Sequence, residues 1–196
     1  MTRTLLASLV LFVTACSKQV EPLESYFTYM GFTLQETTLS KIQSQLGETT
    51  VEHHGDAGSS YTAICYQSIS AGVTVYFETG EMGSSEILQA YRAIKTLKSD
   101  FPCLDLPKAD SGSFQIGGLV LGSEIDRVID ALPPSRKSQN GMEIAYHKRV
   151  LLTSGGNETS DSADNLQEYF DESVWIELFP NDGRLQGFRV TKILSN

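Results

Sequence analysis

The apolar positions of this chain fall into two series with the same order. Leu39, Ile42 and Leu46 lie on one helical face, and Ile125, Val128 and Leu132 repeat that spacing 86 residues later. Each series meets a helix stop, Gly47 in the first and Pro133-Pro134 in the second. Further on, Val73, Val75 and Phe77 alternate with their neighbours, as do Val174, Ile176 and Leu178. Period two predicts strands that bury one face. Ile64-Cys65-Tyr66 matches Ile144-Ala145-Tyr146, and Gly31 matches Gly117. Asn181-Asp182-Gly183 is a tight hairpin signal; its counterpart over residues 80–84 is longer.

The clearest correspondence is Leu88-Gln89-Ala90-Tyr91-Arg92-Ala93-Ile94-Lys95 with Leu185-Gln186-Gly187-Phe188-Arg189-Val190-Thr191-Lys192, identical at four of eight positions. It resolves an ambiguity. Residues 85–98 alone fit a helix, because Ile87, Tyr91, Ile94 and Leu97 share a helical face. The second copy follows a tight turn and is rich in Phe, Val and Thr, so it reads as a strand. Equivalent segments share a conformation, and 86–94 is therefore predicted as a strand. The expected fold is α+β: two tandem repeats, each one or two helices packed on a roughly four-stranded antiparallel sheet. The boundaries are 26–110 for the first repeat with its linker and 111–196 for the second. The second carries a polar insertion at 153–167, read as a loop between strands. Either unit alone is small for a core, so the two are expected to share an interface.

The first residues look like a targeting segment. Arg3 precedes an apolar run over 5–13, which is too short to span a bilayer. The run closes on Val13-Thr14-Ala15-Cys16, a pattern that resembles the lipobox of bacterial lipoproteins. The resemblance implies a signal peptide over 1–15, acylation of Cys16 and a polar tether over 16–25. Three acyl chains anchor firmly, at ~0.8 kcal/mol per buried methylene. Ser17 rather than Asp after the Cys leans towards the outer membrane, facing the periplasm. An ordinary secretory peptide with an incidental Cys is the alternative. Export would put Cys65 and Cys103 in an oxidising compartment, where a disulfide is the default and free thiols the alternative. Such a bridge would pin the linker, 102–112, onto the first sheet.

Apolar residues make up 40% of the chain and the formal net charge is −9. That balance suits a globular body and argues against nucleic acid or anionic lipid as partner. It fits plain solubility equally well. No nucleophile elbow, phosphate-cradling glycine loop or zinc-protease spacing occurs. His53-His54-Gly55-Asp56 is the one cluster hinting at metal chemistry. Adjacent residues of a strand face opposite ways, so the pair reads better as the polar end of a hairpin. No cofactor, metal or enzymatic activity is expected.

A Gly-led helix ending in Leu-Gly, then several strands, twice over in an exported chain, resembles the β-lactamase inhibitor protein fold. The same unit in single copy is similar to the BamE (SmpA/OmlA) family of small outer-membrane lipoproteins. Gly31 and Leu46-Gly47 carry the motif in the first unit, and Gly117 and Leu132-Pro133 in the second. The inhibitor has a disulfide in each unit, whereas this chain can form one bridge, so no inhibitory residue is carried over. The resemblance implies binding of a protein through a concave, aromatic-rich sheet.

Alternation assigns the faces. If Val73, Val75, Phe77, Val174, Ile176 and Leu178 pack on the helices, Tyr76, Trp175 and Phe179 lie opposite, with Glu177 between the last two. If Tyr91 and Phe188 are core, Arg92 and Arg189 join them, as do His147 and Arg149. Aromatic and Arg side chains dominate interface hot spots. The alternative is that Trp175 and Phe179 fill the contact between units or lie beneath the 153–167 loop. A one-residue register slip would invert every assignment. The expected function is an envelope lipoprotein that binds a protein partner, in envelope assembly or enzyme restraint. The alternatives are a small-ligand or metal carrier using His53, His54, His147 or a cleft between the units, a structural envelope protein, and a hydrolase.

Overall fold

The computed structural model describes residues 22–55, 60–80, 86–99, 101–106, 114–133, 136–137, 142–151 and 169–195. The proposed signal peptide, Cys16 and the 153–167 insertion lie outside them. The chain is α+β, with two α-helices and one large, mostly antiparallel sheet among the described residues. A 3-10 turn, Leu23–Tyr26, leads into a small ribbon of β1 (Thr28–Tyr29) and β2 (Phe32–Thr33). Helix α1 (Leu39–Leu46) precedes β3 (Val51–His54), β4 (Tyr61–Ser68), β5 (Val73–Thr79) and β6 (Leu88–Ile94). A short β7 (Leu104–Asp105) follows. Helix α2 (Ile125–Ala131) then precedes β8 (Arg136–Lys137), β9 (Glu143–Leu151), β10 (Tyr169–Asn181) and β11 (Arg184–Ser195).

Local chemistry explains the boundaries. Thr38 caps α1 by accepting a hydrogen bond from the Lys41 amide at 3.2 Å. Gly47 ends it with φ +108°, and its amide donates to Gln43 O at 2.9 Å. A Cβ on Gly47 would lie 2.7 Å from Leu104 Cδ2, so the missing side chain also admits β7. Leu39 and Ile42 are buried, as their spacing requires. Helix α2 buries Val128 and stops before Leu132 and Pro133. The β10–β11 hairpin turns on Asp182 and Gly183, both at positive φ, the twist-matched two-residue turn that Asp-Gly favours. Residues 88–94 are indeed strand: hydrogen-bonded neighbours on both sides override the local helical pattern.

The strands run in the order β3-β4-β5-β6-β11-β10-β9-β8, with β7 pairing parallel to β4. The joint between the two halves is the antiparallel β6–β11 pair. One continuous core lies between this sheet and the helices. It includes Val73, Val75, Phe77 and Tyr91 from the first half and Val174, Ile176, Leu178 and Phe188 from the second. Tyr29 stacks on Tyr91 at 4.5 Å, and Phe188 meets Tyr91 edge-on at 6.4 Å, so aromatic packing crosses the joint. The predicted core positions are thus all on the helix side of the sheet.

Candidate protein-binding face

The register of five strands sets the opposite face. Cys65 pairs with Tyr76, Tyr76 with Arg92, Arg92 with Arg189 and Arg189 with Glu177, giving one row of outward side chains across the sheet. A second row runs Ala63, Glu78, Ala90, Thr191, Trp175, Ala145. Tyr76, Arg92, Arg189, Trp175, Phe179 and His147 therefore share the side that alternation predicts. Arg149 has the same parity, opposite Asp171 in the backbone register, while its side chain lies outside the described atoms.

Sharing a side does not make them equally accessible. Tyr76 is only 3% exposed, which removes it from the candidate surface. The segment after β6 crosses back over this face and lays Phe101 against Tyr76, ring centroids 5.8 Å apart. Phe101 also packs near His54 at 5.6 Å. Cys103 is at disulfide distance from Cys65, with Cα atoms 4.7 Å apart, and β7 then joins the edge of β4. Ala63, Cys65, Tyr76 and Phe101 form a second, smaller core beneath this strap. The bridge thus pins the linker onto the first sheet, as the cysteine positions suggested.

The second half differs. Phe179 is 37% exposed, and Trp175 is half-buried. His147 is exposed, meets the Trp175 ring edge-on at 5.9 Å, and its Nδ1 shares a hydrogen bond with Ser173 at 2.9 Å. Phe179 lies over Gly187. A Cβ there would come within 3.0 Å of Ala93 O and 3.1 Å of the Phe179 ring, so glycine lets the aromatic lie across the strands.

At the joint sits an ion network that the sequence did not single out. Glu78 is 2% exposed and faces two guanidinium groups. Its Oε2 accepts from Arg189 Nε at 3.0 Å and lies 2.8 Å from Nη2. Its Oε1 is 3.4 Å from Arg92 Nε. Arg189 also reaches Glu177 at 3.4 Å, and the Arg92 guanidinium covers the Tyr76 ring at 4.1 Å. Partial burial works against the charge of Arg189, but Glu78 and Glu177 outweigh it and hold its pKa above the ordinary value. A cavity of about 240 Å³ opens here, lined by Tyr61, Glu78, Arg92, Glu177, Phe179 and Arg189. Two cations against two anions leave no net charge to draw in an ion, so the network reads as a clamp across β5, β6, β11 and β10. Its sequence signal was Glu78 inside the apolar alternation of β5. The partners come from β6 and β11, which no local pattern identifies.

The two histidines near the other end point apart, as adjacent strand residues must. His53 Nδ1 shares a hydrogen bond with Thr62 at 2.9 Å, on the α1 side, while His54 stacks on Tyr61 at 4.9 Å. Both border a cavity of about 580 Å³ between α1 and β3, together with Ser40, Gln43 and Glu86. Among the described residues no group of three His, Cys, Asp or Glu side chains could hold a metal ion. No described helix is long and apolar enough to cross a membrane. No family model matches the chain, and neither a curated protein nor a solved structure does.

Proposed function

We propose that this chain is a non-enzymatic, lipid-anchored envelope protein that binds another protein through the uncovered half of its sheet face. One observation carries the reading: Trp175 and Phe179 are solvent-accessible on a sheet face that has Arg189 beside them and no strap across them among the described residues. Large rings with fixed positions and a neighbouring guanidinium are the chemistry of interface hot spots. Acylation at Cys16, removal of 1–15 and an outer-membrane address rest on the sequence pattern at the start of the chain.

A tandem duplication belongs to the same proposal, and the pairing supports it. Arg92 and Arg189, equivalent in the repeat, oppose each other at the β6–β11 joint. Around them Tyr91 pairs with Val190 and Ala93 with Phe188, so equivalent residues swap roles about a local two-fold axis. The strand order is likewise symmetric if α1 to β6 and α2 to β11 are two copies. Kinship with the β-lactamase inhibitor protein fold, and of each copy with BamE-type units, belongs to the same proposal.

The test is a photoreactive residue at Phe179 in the full chain in cells. A discrete crosslinked product that disappears on Trp175→Ala, with the melting temperature unchanged, is expected. A product of equal yield in the Trp175→Ala background, or none at all, rejects the reading. The α1–β3 cavity with His53 and His54 on its rim favours a second one, a small-ligand or metal carrier. Thermal shift with zinc or copper, and metal analysis of the purified chain, decide it.

A further inference from the structure

We infer that the junction of β6, α2 and the β10–β11 hairpin is a binding site for a compact, phosphate-type anion. Three segments converge there on a concavity of about 590 Å³ lined by Lys95, Leu121, Gly122, Ser123, Glu124, Arg127 and Arg184. Their backbones are tied together. Gly122 N donates to Leu185 O at 2.7 Å, Leu185 N to Ser123 O at 2.9 Å, Ile125 N to Gly183 O at 2.9 Å and Lys95 N to Gln186 O at 2.6 Å. The backbone of the walls is therefore preformed, and it carries the exposed side chains of Lys95, Arg127 and Arg184.

Three cations and one carboxylate line this hollow, in a chain whose formal net charge is −9. Two of the cations converge on the same residue. Arg184 Nη1 donates to Gly122 O at 2.8 Å, and Lys95 Nζ lies 3.7 Å from where a Gly122 side chain would begin. Among the described residues neither Lys95 nor Arg127 joins an ion pair. Three cations against the one Glu124 carboxylate leave the hollow with an excess of positive charge, which water tolerates and a bound anion relieves. A tetrahedral dianion brings two charges and spreads its acceptor oxygens in three dimensions, whereas a carboxylate brings one charge in a plane. The overall acidity of the chain favours a small anion over an anionic surface. The site lies beside the hairpin, apart from the aromatic face, and does not depend on the proposed protein partner.

Amide NMR of the full chain, titrated with inorganic phosphate, tests it, with a parallel arm comparing phosphatidylglycerol and neutral phosphatidylcholine vesicles. The neutral arm accounts for any contribution of the apolar 5–13 run. Saturable shifts at Gly122 and Ser123 are expected. Lys95→Gln with Arg127→Gln should weaken binding at least about tenfold, and Lys95→Arg should keep it. The same variant dependence seen only with the anionic vesicles assigns the site to a phosphate headgroup and upholds it. No response to either probe, or equal responses in the double variant, overturns it. If the double variant does not fold, Arg127→Gln alone, against Lys95→Arg, decides by the same criterion.

Discussion

Glu78 shows how much can rest on one side chain. A carboxylate that is almost fully buried is tolerated because two guanidinium groups meet it. Removing its charge leaves Arg92 and Arg189 facing each other across the joint with Glu177 as the remaining anion. Glu78→Gln should cost about 3 kcal/mol of unfolding free energy, measured by urea denaturation at neutral pH. A second effect at this scale comes from tyrosine. Burial pushes the Tyr66 hydroxyl up to about 12, and burial together with the neighbouring tyrosines raises Tyr91 well above its ordinary value. The unfolded chain releases these protons near pH 10 and the folded chain later. The stabilisation is complete below pH 10 and is lost as pH rises through about 12. The urea midpoint should hold level up to pH 9 and fall steeply from pH 10 to 12. Alternation made the side of each of these residues legible in the sequence, but not the partners. The Glu78 network joins residues 78, 92, 177 and 189, and no local spacing brings those together.

Among the elements, the strap is the one that separates the two halves. Residues 101–105 carry Phe101 over Tyr76 and fasten to Cys65, converting part of a sheet face into a small second core. The two cysteines lie 38 residues apart. In the chain-entropy account, replacing both by Ser should cost about 4 kcal/mol. Urea denaturation of the double variant against the wild type, each under oxidising conditions, measures it. Hydrogen exchange should accelerate most in β4 and β7, which the bridge holds together. Strand β6 gives the opposite lesson. Its own sequence favours a helix, and only comparison with β11 pointed to a strand. Two hydrogen-bonded neighbours decide the matter, because a central strand satisfies both edges at once.

For the whole molecule, the single core matters most. Helix-side residues of both halves pack in one cluster, and aromatic contacts run through the joint. Phe77→Ala and Ile176→Ala, one in each half, should each cost about 3 kcal/mol. Both should shift the same transition. Unfolding followed by far-UV circular dichroism and by Trp175 fluorescence should coincide in either variant. Separate transitions for the two probes would mean that the halves unfold independently and that the shared core contributes little.

Short stretches of sequence carried the local grammar of this protein: helix faces by period and stop residues, strand faces by alternation, the hairpin by Asp182-Gly183, and Cys65 and Cys103 as the pair available for a bridge, with free thiols as the alternative. These depend on neighbours a few residues apart, and their physics is readable in a short window. Tertiary structure alone decided the order of the strands, the meeting of Arg92 with Arg189, the burial of Tyr76 under Phe101 and the gathering of Lys95, Arg127 and Arg184. Each of those depends on which distant segments close on one another. That choice is made by the summed packing of the whole core, and no single stretch of chain contains it.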